Sequence, residues 1–179
     1  MKKVISVICI VLLSVKMMAQ DSLSKDIVYT PDKDIDKFIG TWLWKSGDSS
    51  LLFVLKKEEK VKLVPTMNVQ IDIIYGFHKY IRDGVIIEDS LPYINTAYKE
   101  KKSTLLGSSD NANPNVLTGG ITHLSKDKSV KYEIQYLDND HIKIIKIYDY
   151  EGFRVNSPGT KPYDTSISLP QNIVLVKQQ

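Results

Sequence analysis

Cysteine is all but missing from this chain. Its 179 residues contain one, Cys9, and that one lies inside an N-terminal apolar run. No CxxC or HExxH pattern and no GxSxG elbow occurs, and His78, His123 and His141 have no metal-ligand spacing among them. The Thr118-Gly119-Gly120 stretch opens no helix, so its glycines read as a strand irregularity and not as a phosphate cradle. Zinc sites, that type of acyl transfer and nucleotide binding therefore lack sequence support. No cofactor and no metal is expected.

Charge of one sign is missing as well. The chain has 24 basic and 21 acidic residues, and the first nineteen hold Lys2, Lys3 and Lys16 but no acid. Without that segment the basic residues also number 21, so the net charge is zero. A nucleic-acid partner, which needs clustered Lys and Arg, is not expected. The run Lys99-Glu100-Lys101-Lys102 reads as a solvated loop.

What is present begins with an address. Residues 1–19, MKKVISVICIVLLSVKMMA, have a basic start, an apolar middle and a small residue, Ala19, before the expected cut. This is the layout of a secretory signal peptide, and its apolar stretch is shorter than the ~20 residues a membrane-spanning helix needs. The expectation is an exported protein, periplasmic or secreted, with no transmembrane anchor after cleavage. Cys9 leaves with the leader, so no disulfide can form and the core must supply the stability.

Residues 20–37 read as a lead-in followed by a helical turn, since Thr30-Pro31-Asp32 supplies a cap, a proline and an early acid ahead of Ile35, Phe38 and Ile39. Asp32, Asp34 and Asp36 imitate the opening of a calcium loop. The sixth and twelfth positions, Lys37 and Leu43, break that pattern.

Residues 38–179 read as one domain of short strands. Trp42 and Trp44 share a face, Leu51, Phe53 and Leu55 share another, and Val69, Ile71, Ile73, Tyr75 and Phe77 form the longest alternating series. Gly76 interrupts it where a long strand bends. The series runs into Asp83-Gly84, the sequence of a type I′ hairpin, and direct pairing would set Ile81 against Ile86, Lys79 against Glu88 and His78 against Asp89. A second hairpin turns at Asp138-Asn139-Asp140. Weaker strands at 103–107 and 116–124 flank a polar loop, and a last strand covers 172–177. The proline- and glycine-rich loop 149–171 separates it from the second hairpin. About eight to ten antiparallel strands and one helical turn imply an all-β fold, a single small barrel.

Gly40 and Trp42, entering the first long strand after a helical turn, resemble the first signature of the lipocalin and calycin barrels. In that superfamily the tryptophan closes one end of the barrel under a basic residue from near the C-terminus, a role the resemblance gives to Lys177. The wider layout, from FIGTW to the terminal Pro-x-Asn-Ile-Val-Leu-x-Lys, is similar to uncharacterised secreted lipocalin-like proteins of Bacteroidota. The resemblance implies a lipocalin-like β-barrel and carries no activity.

Two functions follow as expectations. One is a lipocalin-like binder of a small apolar molecule, lined by Trp44, Tyr75, Phe77, Tyr132 and Tyr136, with the 149–171 loop at its mouth. The other is a protein-interaction or structural domain with a filled barrel and a protein partner. Catalysis is not expected, because His78 has no nucleophile or oxyanion pattern beside it.

Overall fold

The computed structural model describes residues 26–110, 112–150, 159 and 163–179. Residues 1–25, which include the expected signal peptide, residue 111 and residues 151–158 and 160–162 of the long loop lie outside the described residues.

The described strands are β1 (Val28–Thr30), β2 (Gly40–Ser46), β3 (Ser49–Val61), β4 (Val69–Arg82) and β5 (Val85–Asp89). They continue as β6 (Leu105–Asp110), β7 (Asn113–His123), β8 (Lys128–Asp138), β9 (His141–Tyr148) and β10 (Ile173–Gln178). Eight of them close an antiparallel barrel in the order β4-β3-β2-β10-β9-β8-β7-β6, with β6 returning to β4. The other two attach to β4: β1 runs parallel to it at residues 69–71, and β5 forms a hairpin with it at residues 79–82. The helical content of the described residues is four short 3-10 turns, the first at Asp34–Phe38.

Cross-strand register identifies the inner face. Trp42 pairs Phe53, Trp44 pairs Leu51, Phe53 pairs His78 and Leu55 pairs Gly76. On the opposite wall Leu117 pairs Ile134, Gly119 pairs Tyr132 and Ile121 pairs Val130. Phe53, Leu55, Leu117, Ile121, Val130 and Ile134 are all buried in one continuous core, so the barrel axis is occupied by the protein's own side chains.

Both ends are stoppered. At one, the 3-10 turn Asp34–Phe38 pushes Ile35 and Phe38, both fully buried, under the strands. Phe38 accepts the Trp42 indole N–H at 2.8 Å through its carbonyl, and its ring meets Tyr136 edge-on. The turn starts at Asp34, after Lys33, and not at the expected Thr30-Pro31-Asp32; Asp32, just ahead of it, accepts from the Asp34 N–H at 3.0 Å. The other end, beyond the Gly47 and Asp83-Gly84 turns, is covered by the described part of the loop, where Leu169 is buried.

Several sequence expectations need correction. The apolar alternation of β4 marks its outer face: Tyr75 and Phe77 point away from the barrel axis, and the even residues Ile74, His78 and Tyr80 point inward. β4 is buried on both sides, because the segment bearing the 3-10 turns Leu91–Tyr93 and Tyr98–Glu100 folds over its outer surface. Tyr98 packs against Tyr75, and Lys56 crosses Phe77 to donate to the Ile94 carbonyl. The lead-in is not wholly loose, since Val28–Thr30 pairs with β4. The polar stretch between β6 and β7 is mostly strand, with Ser108 opposite Thr118 and Ser109 opposite Leu117.

Asp83 and Gly84 both have positive φ, +52° and +76°, as a type I′ turn requires. Beyond Ile81 and Ile86 a bulge at Ile87 shifts the partners by one, so Tyr80 faces Glu88 and Lys79 faces Asp89. The expected His78–Asp89 and Lys79–Glu88 pairs are therefore exchanged.

Candidate functional site

The bulge has a chemical result: it turns Glu88 inward. Its carboxylate is fully buried and accepts from His78 Nε2 (2.7 Å) and the Leu124 N–H (3.1 Å) on Oε2. Oε1 accepts from His123 Nδ1 (2.5 Å), Ser125 Oγ (2.7 Å) and the Ser125 N–H (3.3 Å). A carboxylate only accepts, so each imidazole presents an N–H to it. Burial alone would raise the Glu88 pKa, but the hydrogen bonds from His78 and Ser125 and the fields of both histidines outweigh it and hold the group at about 2. Burial lowers the pKa of His123 in spite of Glu88, so its other nitrogen is a neutral acceptor.

Ser168 meets that acceptor. Its Oγ lies 3.2 Å and its backbone N 3.1 Å from His123 Nε2. Serine, histidine and glutamate thus have the connectivity of a charge-relay triad. The Nε2 lone pair is already taken by the backbone N–H of Ser168, and the imidazole is sealed from solvent. Chemically the arrangement is a tether that fastens the 163–171 segment to the barrel end. On the far side of Glu88, His78 Nδ1 meets Thr104 Oγ1 at 2.8 Å, and Ser90 bridges Thr104 to the His78 carbonyl. His141 stands apart, on Asp138 at the surface.

A groove of about 560 Å³ lies elsewhere, on the barrel flank. It forms where the β4–β6 seam runs out. Only residues 74–76 of β4 pair with 105–107 of β6, and beyond them β4 turns to β1 while β6 continues beside β7. The outer residues Ile71, Ile73 and Leu106 form its walls, with Tyr148 and Lys131 across from them. Its floor is lined by Gly107, Gly119 and Gly120, of which Gly120 alone leaves the outer face bare, while Gly107 and Gly119 lie over Tyr132.

Tyr132 explains two of those glycines. It reaches across Gly119, its partner in β7, to Gly107, the partner of Gly119 in β6. A Cβ on Gly107 would stand 2.3 Å from the Tyr132 hydroxyl, and one on Gly119 would stand 2.0 Å from the Leu106 carbonyl oxygen. Glycine is required at both places by close approach. The Tyr132 hydroxyl is buried and has no hydrogen-bond partner. Burial pushes its ionisation well above the ordinary phenol range, so it is an O–H donor without an acceptor.

The expected ligand-lining residues are thus dispersed. Trp44 lies on the inner face at the turn end, Tyr136 on the inner face against Phe38, and Tyr75 and Phe77 on the outer face beneath Tyr98. Tyr132 alone borders the groove. The signature residues do come together. Lys177 pairs Trp42 across β10 and β2 with its Nζ 5.0 Å from the ring centroid, and Gly40 lies directly beneath the lysine stem. The glycine–tyrosine cluster was foreshadowed by Thr118-Gly119-Gly120, although the strand irregularity expected there is not found: β7 pairs regularly through both glycines. The Glu88 cluster had no such signal, because it depends on one bulged residue.

The closed antiparallel barrel, with a 3-10 turn and Gly-x-Trp at its entrance, is consistent with a calycin-like fold. Comparison with curated proteins and with solved structures yields no match. The model of a family of unknown function, DUF6705, matches residues 1–178, and the chain belongs to that family.

Proposed function

We propose that this protein is an exported, non-catalytic binding module that seats a small, mostly apolar molecule on the flank of a filled barrel. The observation that carries this reading is a contrast between two spaces. The axis, where a lipocalin-like carrier would hold cargo, is occupied by Phe53, Leu55, Tyr132 and their neighbours, whereas the seam groove of about 560 Å³ is of ligand size. The buried state of His123 and the occupied lone pair at its Nε2 favour binding over catalysis.

A second reading, a protein-interaction domain, draws on the apolar lip beside the groove. Leu63, Val64 and Met67 in the β3–β4 connection are each more than two-fifths exposed. Native mass spectrometry of the exported chain, purified gently without detergent, separates the two readings. A defined extra mass that disappears on denaturing extraction is the expected result. A bare chain mass, together with no thermal stabilisation by small-molecule extracts of the host, would overturn the proposal in favour of a protein partner.

A further inference from the structure

We infer that the seam groove is a site for a flat, largely aromatic small molecule that carries a carbonyl or phenolic oxygen, with Tyr132 as its buried hydrogen-bond donor. This inference rests on the binding reading above and narrows it to a ligand class.

The first argument is the orphaned hydroxyl. A buried phenol with no partner costs free energy in the unliganded protein, and tyrosine hydroxyls find partners when buried. Phenylalanine would fill the same space over Gly119 at no such cost. An oxygen acceptor entering where β4 and β6 part would supply the missing partner.

The second argument is the shape of the floor. Gly119 and Gly120 are consecutive, and Gly120 pairs Leu106 on the outer surface. Gly119 faces inward beneath Tyr132, so on the outer face Gly120 alone is bare, flanked along its strand by Thr118 and Thr122. A planar ring can lie edge-on to the seam over that bare position, with one oxygen directed at Tyr132.

The third argument is the electrostatics of the rim. Lys131 lies over the rings of Tyr148 and Tyr150, at 6.0 and 5.1 Å, and pairs with no carboxylate among the described residues. A cation beside tyrosine faces favours electron-rich rings and acidic phenols. Ile71, Ile73 and Leu106 complete an apolar wall.

The test is a fluorescence titration of the full exported chain with quercetin, a flat aromatic with carbonyl and phenolic oxygens, against dodecanoate as an apolar, non-planar control. Quercetin is expected to bind and dodecanoate to bind more weakly. Tyr132→Phe should weaken quercetin about fivefold, the loss of one hydrogen bond. Its melting temperature should stay level or rise, because no existing hydrogen bond is lost. Gly120→Leu should reduce binding by tenfold or more by filling the floor. The atoms nearest a Cβ there are the Tyr150 hydroxyl at 3.3 Å, Ser129 Oγ at 3.6 Å and the Val130 carbonyl oxygen at 3.8 Å, so of these only the Tyr150 side chain must give, by a few tenths of an ångström. Leu106→Arg, at a partly exposed outer position, serves as the second variant.

Absence of quercetin binding to the folded wild type, or equal binding to Tyr132→Phe and Gly120→Leu, would overturn the inference. A lower melting temperature in Tyr132→Phe would also overturn it, since the hydroxyl would then already have a partner. The wider proposal fails separately. Native cargo retained by Gly120→Leu would mean a binder with its site elsewhere, and a bare wild-type chain that small-molecule extracts do not stabilise would mean no binder at all.

Discussion

Lys177 and Trp42 face each other across the β10–β2 closure, with the ammonium nitrogen 5.0 Å from the centre of the indole. The indole N–H is spent on the Phe38 carbonyl, so one tryptophan joins the closing strands to the 3-10 plug. Lys177→Ala should lower stability by about 1 kcal/mol, as for a partly desolvated cation–π pair, and Lys177→Arg should retain it. Urea midpoints of the two variants decide the matter, and equal losses in both would refute a cationic role.

Gly40 has φ of +142°, and a Cβ there would lie 2.8 Å from Lys177 Cε. Gly40→Ala should therefore destabilise through both backbone strain and the clash. Combining it with Lys177→Ala should recover the steric part only. A double-mutant cycle with no coupling between the two positions would contradict this.

Gly119→Ala should cost about 3 kcal/mol, because the obstruction is backbone, the Leu106 carbonyl at 2.0 Å, and cannot rotate away. Gly84→Ala, with open space around it, should cost less and only through its positive φ. Calorimetric melting temperatures of the pair test the ordering.

Acid should loosen the protein from one direction. His123 has its folded pKa below the ordinary 6.5, so the unfolded chain takes up a proton first and stability begins to fall as pH drops through 6.5. Glu88, held at about 2 against an ordinary 4.5, adds a further loss from about 4.5 downward. Melting temperature should thus decline from pH 7 to pH 5 and fall more steeply below. His123→Gln should flatten the upper part and leave the lower part in place. A wild-type curve that is level from pH 7 to pH 4 would show the buried network to be insensitive to protons.

Asp72 anchors β1. Its carboxylate is buried and accepts from the Tyr29 hydroxyl at 2.9 Å and from the Asp32 and Lys60 N–H groups at 3.2 Å, with Lys57 3.4 Å away. Asp72→Ala should free Val28–Thr30 from the sheet. Hydrogen exchange should then lose protection at residues 28–30 while the β7–β8 amides keep theirs.

Much of this barrel was legible in its residues, and the reasons for the failures are specific. Asp83-Gly84 determined a turn because positive φ at both positions has few alternatives, and Gly40, Trp42 and Lys177 could be read because their roles are local to one closure. β4 misled because alternation reports a buried face without reporting which body buries it. Tyr75 and Phe77 are as apolar as an inner face, yet the segment from Leu91 to Glu100 covers them from outside. The Glu88 cluster was hidden because one bulged residue, Ile87, reverses the facing of everything after it. The groove was hidden because it is made of absences: three glycines, and a strand pair that ends early.

The order of strands around the barrel has a kinetic meaning. Nearly every strand lies beside its neighbour in the chain, so most of the sheet can zip from hairpins of short span. β1–β4 and β4–β6 join strands that are not neighbours in the chain, and the β10–β2 seam has the longest span of all, since it joins the two ends of the meander. Until Ile173–Gln178 docks, β2 and β9 each present an unpaired edge. A chain interrupted before Ile173 is accordingly expected to self-associate through those edges and not to persist as a smaller working barrel.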